Sequence, residues 1–340
     1  MKKLLLSLVG LGLAIVGYWG WHIYQSFHIL KDIQDQQEQL SRYRQEAKQR
    51  PQEPEAWLQL ADTAFNFWQN AGRGIRIAKE VNQTSLVWQW LGERNLALKE
   101  ASLAYSRVLK LAPESVDAVV GLCHVLIEQF DPPKAVTMCQ RAVQSRPGQP
   151  ELYLALSTAL IQDSQWVKAE VAARQVIAIE SNNDDAYYQL GNALLGQEKI
   201  DEGIVALQKS ITLDPRANLA YISLGDALDW QNRSEEAIMA YRQSVKVAPS
   251  YPLAYERLGQ IYSKQKRWQE AVLVYREGLK YFPSEVDSLK GLGNALIELQ
   301  QWQEALVTYE KVLLFNPEDA ESLQMRKRLI QQQKVKPTFP

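Results

Sequence analysis

The sequence is poor in the residues that metal centres and thiol chemistry require. It holds two cysteines and three histidines among 340 residues. A structural zinc ion takes about four Cys or His ligands, and His124 is the one histidine close to the cysteines in the chain. In a helix, His124 would lie roughly 100° around the axis from Cys123, so one ion could not easily gather all three groups. We therefore expect no metal ion and no cofactor.

The sequence also lacks the motifs of catalysis and of nucleic-acid binding. It contains no nucleophile motif and no paired catalytic carboxylates, and the segment Gly72-Arg73-Gly74 is too short to be a phosphate-binding fingerprint. The 39 acidic and 38 basic residues are interspersed and give a net charge of -1. Because nucleic-acid-binding domains are basic, this balance argues against a nucleic-acid partner. We expect a protein that is not an enzyme and has no small-molecule substrate.

What the sequence has in abundance is repetition at one constant spacing. Small residues recur in this register without interruption, and leucines and prolines recur in phase with them. The small residues are Ala101, Ala135, Ala169, Gly203, Ala237, Ala271 and Ala305. A constant period of 34 residues is the signature of stacked supersecondary units.

Residues 218–249 give the clearest example of one unit. Apolar residues at helical spacing precede a polar break at 232–234, and a second helical pattern follows until Pro249 ends it. The pattern predicts two antiparallel helices of about 14 residues joined by a short turn.

This pattern resembles the tetratricopeptide repeat over residues 54–317. The clearest copies are Tyr221, Leu224, Gly225, Ala237, Tyr241, Ser244 and Pro249, followed by Tyr255, Leu258, Gly259, Ala271, Tyr275, Gly278 and Pro283. The resemblance implies an all-α solenoid of about seven helical hairpins over 51–317. It also implies a scaffold that binds other proteins through extended peptide or helical segments.

Both ends of the repeat region depart from the pattern. The first unit carries an insertion at 70–97 that includes Trp88 and Trp90. This insertion is either an elongated hairpin that caps the stack or an element that presents the two tryptophans to a partner. After Pro317, residues 318–333 predict a helix that covers the last apolar face, and we expect a disordered tail at 334–340.

The N-terminal region predicts a membrane anchor. Residues 4–30 contain no charged side chain, and the 21 residues from Leu4 to Tyr24 would span about 31 Å as a helix, enough to cross a bilayer core. A cleaved signal peptide is the alternative. The anchor at 1–28 would make a single-pass membrane protein. Two lysines before the span favour a cytoplasmic N-terminus with the repeats on the trans, periplasmic or lumenal, side.

Residues 29–50 follow the predicted anchor and are polar. Ile33, Leu40 and Ala47 recur at sevenfold spacing, which is too short a series to indicate a coiled coil. We expect a stiff helical stalk that leads into the repeats at Pro51.

Two candidate sites follow from the repeat register. Cys123 and Cys139 stand at inward-facing positions of one hairpin, where they are either buried apolar residues or a disulfide.

The concave groove is the predicted partner-binding surface. It pairs polar residues at one repeat position with apolar anchors beside them. The polar residues are Asn192, Asp226, Gln260 and Asn294, and the anchors are Tyr188, Ile222 and Trp230. A solvent-facing position can also be polar for no functional reason.

These features together predict a membrane-anchored scaffold that acts in the assembly or maturation of membrane protein complexes. Two alternatives stay open. The chain could be a structural subunit of a stable membrane complex, or a regulatory partner of a separate enzyme.

Overall fold

The computed structural model describes residues 18–80 and 84–335. Within these ranges the side chains of 18–27, 73, 76–77, 79–80, 84–85, 87–88 and 333–335 are left out of the description. The described backbone forms 16 helices, and no strand occurs in it. The predicted all-α fold is therefore confirmed for this part of the chain.

Only short segments of the chain separate successive helices. In chain order they are α1 (Tyr18–Gln49), α2 (Pro54–Glu80), α3 (Thr84–Leu111), α4 (Val116–Glu128), α5 (Pro132–Ser145), α6 (Pro150–Gln162), α7 (Trp166–Ile179), α8 (Asp184–Leu195), α9 (Ile200–Leu213), α10 (Asn218–Trp230), α11 (Ser234–Val247), α12 (Pro252–Lys264), α13 (Trp268–Tyr281), α14 (Val286–Glu298), α15 (Trp302–Phe315) and α16 (Ala320–Val335). The chain divides into two compact units, residues 1–118 and 119–340.

The first unit is built from the three long helices α1, α2 and α3. Helix α2 packs along α3, and α1 packs against α2. Ile33, Leu40 and Ala47 form the apolar seam of α1, and each is at most 1% exposed. The predicted stalk at 29–50 is therefore a packed helix of the first unit, because its sevenfold apolar spacing matches the groove between two neighbouring helices.

Polar contacts fix α1 in the same position. The indole N–H of Trp90 donates to Gln37 Oε1 at 3.1 Å. The Arg44 guanidinium forms ion pairs with Glu93 (3.0 Å) and Glu100 (2.8 Å) of α3. The residues of the predicted insertion at 70–97 extend α2 and α3 into one long hairpin, which gives α1 the length of surface on which it packs.

The predicted single-pass membrane localisation is contradicted. None of the helices that the structure describes is both long enough and apolar enough to cross a bilayer. Helix α1 is long, but from Lys31 onwards it carries charged side chains on nearly every turn. Residues 1–17, which hold most of the predicted span, lie outside the described ranges, as do 336–340 of the predicted tail.

The second unit is a stack of short helical hairpins. The first helices of successive hairpins from α6 to α14 contact one another, and each intervening second helix packs between the first helix of its own hairpin and that of the next. The first helices therefore line an inner face, and the second helices form an outer face. Leu190 and Leu224 lie in the interior at 6% and 9% exposed, and Leu329 of α16 is buried against the last hairpin.

The repeat register is also visible in the backbone of the hairpin turns. One residue in each turn adopts a positive φ of 56–62°, always at the same repeat position. These residues are Phe130, Ser164, Glu198, Asn232, Lys266 and Gln300. The conformation ends the first helix and reverses the chain. Because it normally favours glycine or asparagine, the turns carry a conformational cost that the sequence pattern did not indicate.

Glycines on the first helices make room for rings of the second helices. A Cβ atom on Gly225 would lie 2.4 Å from the Tyr241 ring, and one on Gly259 would lie 2.4 Å from the Tyr275 ring. The ring therefore rests directly on the helix backbone. This contact sets the distance between the two helices of the hairpins α10–α11, α12–α13 and α14–α15, where Gly293 meets the Tyr309 ring in the same way.

Candidate peptide-binding groove

The groove is the inner face of the second unit between Asn192 of α8 and Asn294 of α14. In the sequence, each of its polar residues follows a buried leucine of the repeat motif by two positions. Each first helix therefore presents one polar residue towards the same side. Gln260 and Asn294 are exposed, whereas Asn192 and Asp226 are half-buried. The structure thus brings the four predicted polar residues onto one face.

Tyrosine hydroxyls of the second helices occupy part of this polar row. The Tyr241 hydroxyl donates to Asp226 Oδ1 at 2.7 Å, and the Tyr309 hydroxyl donates to Asn294 Oδ1 at 2.5 Å. The first unit repeats the arrangement, because Tyr105 donates to Asp62 at 2.6 Å. Asp226 and Asn294 therefore satisfy buried hydroxyls before they meet any ligand. The sequence could have indicated this, since the two repeat positions keep a constant separation within a regular hairpin.

The polar row also joins neighbouring hairpins. Arg257 Nε of α12 lies 3.3 Å from Asp226 Oδ1 of α10. Gln260 accepts a hydrogen bond from Arg257 (3.1 Å) and donates one to Glu256 (2.8 Å). The Arg257–Asp226 pair links two adjacent first helices, and the Gln260 bonds within α12 hold Arg257 and Glu256 in place. A rigid groove costs less conformational entropy when a ligand binds to it.

The carboxylates of the groove are partly dehydrated. Burial raises the pKa of Asp226 above its ordinary value, and the Tyr241 hydrogen bond and the Arg257 charge offset only part of this effect. Burial likewise raises the pKa of Glu256, against the opposing charge of Arg257. A ligand that donates hydrogen bonds here would therefore stabilise carboxylates that water solvates poorly.

The three predicted apolar anchors differ in accessibility. Trp230 ends α10 with 63% of its surface exposed, so its ring is available to a partner. Tyr188 is half-buried and packs against the core. Ile222 is only 4% exposed. The interpretation of Ile222 as an anchor is wrong, because its side chain points into the core between hairpins.

Of the predicted second patch at Trp88 and Trp90, the structure describes the side chain of Trp90, which does not lie at the surface. Trp90 is 1% exposed, and its ring and N–H group face α1. The side chain of Trp88 lies outside the described part. The sequence pattern suggested exposure because it did not show that α1 covers α3 at this point.

Cys123 and Cys139 lie opposite each other across α4 and α5. The structure brings their sulfur atoms within bonding distance, with the Cα atoms 6.7 Å apart, and both residues are fully buried. They occupy the repeat positions that Gly225 and Tyr241 hold in a later hairpin, so two sulfurs fill the space of one ring. Their pairing stays a prediction. In 18–80 and 84–335, no group of His, Cys, Asp and Glu is arranged to hold a metal ion.

An ion-pair cluster that the sequence did not indicate closes the C-terminal end of the groove. The Lys290 ammonium pairs with Asp319 at 3.5 Å and with Glu321. Asp319 also caps α16, since it accepts from the Ser322 N–H at 2.8 Å. Helix α16 therefore neutralises a lysine that would otherwise face an incoming ligand.

Comparisons with known proteins agree with this geometry. Residues 188–252 and 230–280 match one family model described as tetratricopeptide repeat, and residues 262–329 match a second model with the same description. A search of curated proteins finds no match.

Two solved structures show similar folds. One is PilW, a type IV pilus biogenesis factor, with 17% identity, a TM-score of 0.53, and coverage of 62% of this chain and 97% of that chain. Another is pilF of Pseudomonas aeruginosa, with 16% identity, a TM-score of 0.52, and coverage of 64% of this chain and 98% of that chain. At these identities the likeness shows the fold alone.

Proposed function

Because this chain is a tetratricopeptide-repeat protein, we propose that it is a scaffold that binds a peptide segment of a partner protein in the groove of its second unit. The observation that supports this proposal most strongly is the exposed indole of Trp230 next to a fixed polar row. A large aromatic ring that is exposed to solvent and flanked by hydrogen-bonding groups is typical of binding hot spots.

The chemistry of the groove defines the kind of segment that it would take. Gln260 and Asn294 offer amide groups that can pair with an extended peptide backbone. Charges of both signs lie near Trp230, since Asp229 pairs with Lys264 at 2.9 Å. The segment is therefore an uncharged or mixed-charge peptide with an apolar side chain that covers Trp230. Helix α16 and Lys290 mark the C-terminal end of the groove that the segment would occupy.

The finer role is that of an assembly factor, which holds its partner transiently while a larger complex forms. A stable subunit of that complex is the alternative. Purification of the assembled complex separates the two, because an assembly factor is substoichiometric in it and a subunit is present at a fixed ratio.

Selection of a displayed library of random peptides against the full chain tests groove binding. We expect the selected peptides to bind wild type and to lose at least tenfold in affinity with Trp230→Ala, which corresponds to about 1.4 kcal/mol or more. Phe130→Ala is the matched control, since Phe130 is an aromatic residue outside the groove with 95% exposure. If no peptide is selected, or if Trp230→Ala binds as well as Phe130→Ala, the groove is not the binding surface.

A further inference from the structure

The outer face of the second unit carries an exposed apolar row that the groove does not explain. Each second helix from α7 onwards presents one apolar side chain two positions after its buried small residue, roughly 200° around the helix and thus pointing outward. We call these residues the outer row. They are Val171, Val205, Met239, Leu273 and Val307, with exposures of 56%, 66%, 60%, 64% and 43%.

The outer row is regular in both sequence and space. Its members share one repeat position and lie on the five successive second helices α7, α9, α11, α13 and α15. Together they expose apolar surface on the order of 500 Å². Single exposed apolar residues need no explanation, but five at one repeat position on successive outer helices form a regular row.

Charged residues flank the outer row in two bands of opposite sign. An acidic band lies at the N-terminal ends of the outer helices, and a basic band lies towards their C-terminal ends. The acidic band consists of Asp201, Glu202, Glu235, Glu236, Glu270 and Glu304, and the basic band consists of Lys209, Arg242, Lys246, Arg276, Lys280 and Lys311. Glu277 and Glu310 are exceptions within the basic band, and Lys168 of α7 is an exception at the acidic position.

From this arrangement we infer that the outer row is the contact surface between two copies of this chain. In a two-fold dimer the same patch meets itself. A two-fold axis parallel to the outer row places the apolar rows on each other and the acidic band of one copy opposite the basic band of the other. This complementarity is a property of the chain with itself, which favours a second copy over an unrelated partner.

The charge pairs within one copy do not prevent this contact. Glu236 pairs with Arg233 at 2.7 Å, and Arg276 pairs with Glu304. Pairs exposed to this degree contribute little to the stability of a fold, so their charges can also face a second copy.

The curvature of the outer face limits the size of the contact. The first helices of neighbouring hairpins contact one another, so the outer face is convex. Two convex faces meet at their middle, where Val205, Met239 and Leu273 lie. The interface is therefore smaller than the roughly 800 Å² per partner of a standard complex, and the dimer is weak.

Sedimentation velocity of the full chain tests the apolar part of the inference. Wild type should shift from the monomer mass of 38.8 kDa towards twice that mass between about 1 µM and about 300 µM, a range suited to a weak complex. Met239→Glu with Leu273→Glu should weaken association at least tenfold. Ile179→Glu is the matched control, because Ile179 is 45% exposed but lies off the row, and it should change the dissociation constant less than twofold.

Charge reversal tests the orientation. One variant carries Glu202→Lys and Glu236→Lys, and the other carries Lys209→Glu and Lys246→Glu. Each variant alone should stay monomeric, and an equimolar mixture should associate at least as tightly as wild type. A wild type that stays at 38.8 kDa, or a mixture that does not associate, would overturn the inference. Trp230→Ala should leave the mass unchanged, which separates this surface from the groove.

Discussion

The two units contain related hairpins that solve different packing problems. The hairpins of the second unit have helices of 12 to 14 residues after α4, and each hairpin packs on a near copy of itself. The first unit has helices of 32, 27 and 28 residues, and α1 rather than another hairpin covers its long pair. A repeat at the end of a stack lacks a neighbour, and the first unit shows one way to replace that neighbour with a helix from outside the repeat.

The two units differ in which of their surfaces are available to bind a partner. In the second unit the inner and outer faces recur with every hairpin, so both offer extended surfaces. In the first unit, α1 covers part of the apolar surface of the long pair, Trp90 included.

The cysteine pair should distinguish the hairpin α4–α5 from the other hairpins of the second unit. We expect air-oxidised protein to show no free thiols after denaturation without reductant and two after reduction. Reduction should lower the free energy of unfolding by about 3 kcal/mol, the value for a closed loop of this length. Cys123→Ser with Cys139→Ser supplies the reductant control, because its stability should not respond to reductant. Two free thiols in the oxidised protein would contradict the pairing.

Glycine substitutions should show how closely the helices approach in each unit. Gly259→Ala places a methyl group 2.4 Å from the Tyr275 ring and should destabilise the protein by about 1–3 kcal/mol. Gly74→Ala meets Ile33 Cγ1 and the Trp90 ring at 2.8 and 3.1 Å, a less severe overlap, so its cost should be smaller.

Gly92→Ala is the matched control for these two variants. It meets no atom within 4 Å and should stabilise α3 by roughly 0.5–1 kcal/mol through helix propensity. Chemical denaturation of the three variants measures the order of their stabilities. A Gly74→Ala variant more destabilised than Gly259→Ala would mean that α1 is held more tightly than the hairpins.

Ion pairs should matter more in the first unit than in the second. Arg44 is half-buried between Glu93 and Glu100, and burying hydrogen-bonded charges makes the loss of one partner costly. Arg44→Ala should therefore destabilise the first unit by about 1–2 kcal/mol. Arg174→Ala should change stability by less than about 0.5 kcal/mol, since the exposed Arg174 pairs with Glu170 on its own helix. Hydrogen exchange of α1 reads out the first effect, and equal protection of α1 in both variants would contradict it.

The turn residues offer a stabilising test in the second unit. Phe130 has φ 59° and is 95% exposed, so its ring contributes little packing while its backbone conformation is unfavourable. Phe130→Gly should raise the free energy of unfolding by about 1 kcal/mol. Asn232→Gly should change it by less, because asparagine tolerates this conformation. Chemical denaturation measures both, and equal gains for the two variants would show that the turn conformation does not limit stability.

Replacement of Asp226 in the groove should change the stability of the protein least, and the change should depend on pH. Burial raises the pKa of Asp226 in the folded protein, so the charged form costs stability once the pH rises above the ordinary Asp pKa of about 3.9. Asp226→Asn keeps an acceptor for Tyr241 and should be slightly more stable than wild type at pH 7. The difference should vanish as the pH falls below that ordinary value. Thermal unfolding across pH measures this, and a variant less stable at pH 7 would reverse the sign.

Much of the fold could be predicted from the sequence because the repeat is redundant. The register of Ala237 and its equivalents recurs seven times, so local ambiguities cancel. The course of α1 could not be predicted in this way. Ile33, Leu40 and Ala47 show one apolar stripe, but a single stripe does not indicate whether it faces α2 or another chain.

The candidate site was predictable in position and only partly in its internal bonding. The polar row and the Asp226–Tyr241 bond follow from the repeat register within one hairpin, whereas the burial of Ile222 and the Arg257–Asp226 pair depend on how adjacent hairpins pack on each other. The predicted single-pass membrane localisation is contradicted, because none of the described helices is both long enough and apolar enough to cross a bilayer.

Site-specific photocrosslinking is the most direct test of the claim that the inner face of the second unit binds partners. A photoreactive amino acid replaces Gln260 on the inner face in one variant and Gln243 on the outer face in another, both exposed glutamines. The peptide selected against the full chain is added to each variant, with and without Trp230→Ala. We expect a crosslink at position 260 that Trp230→Ala removes, and none at position 243. Crosslinking at 243, or at 260 regardless of Trp230, would contradict it.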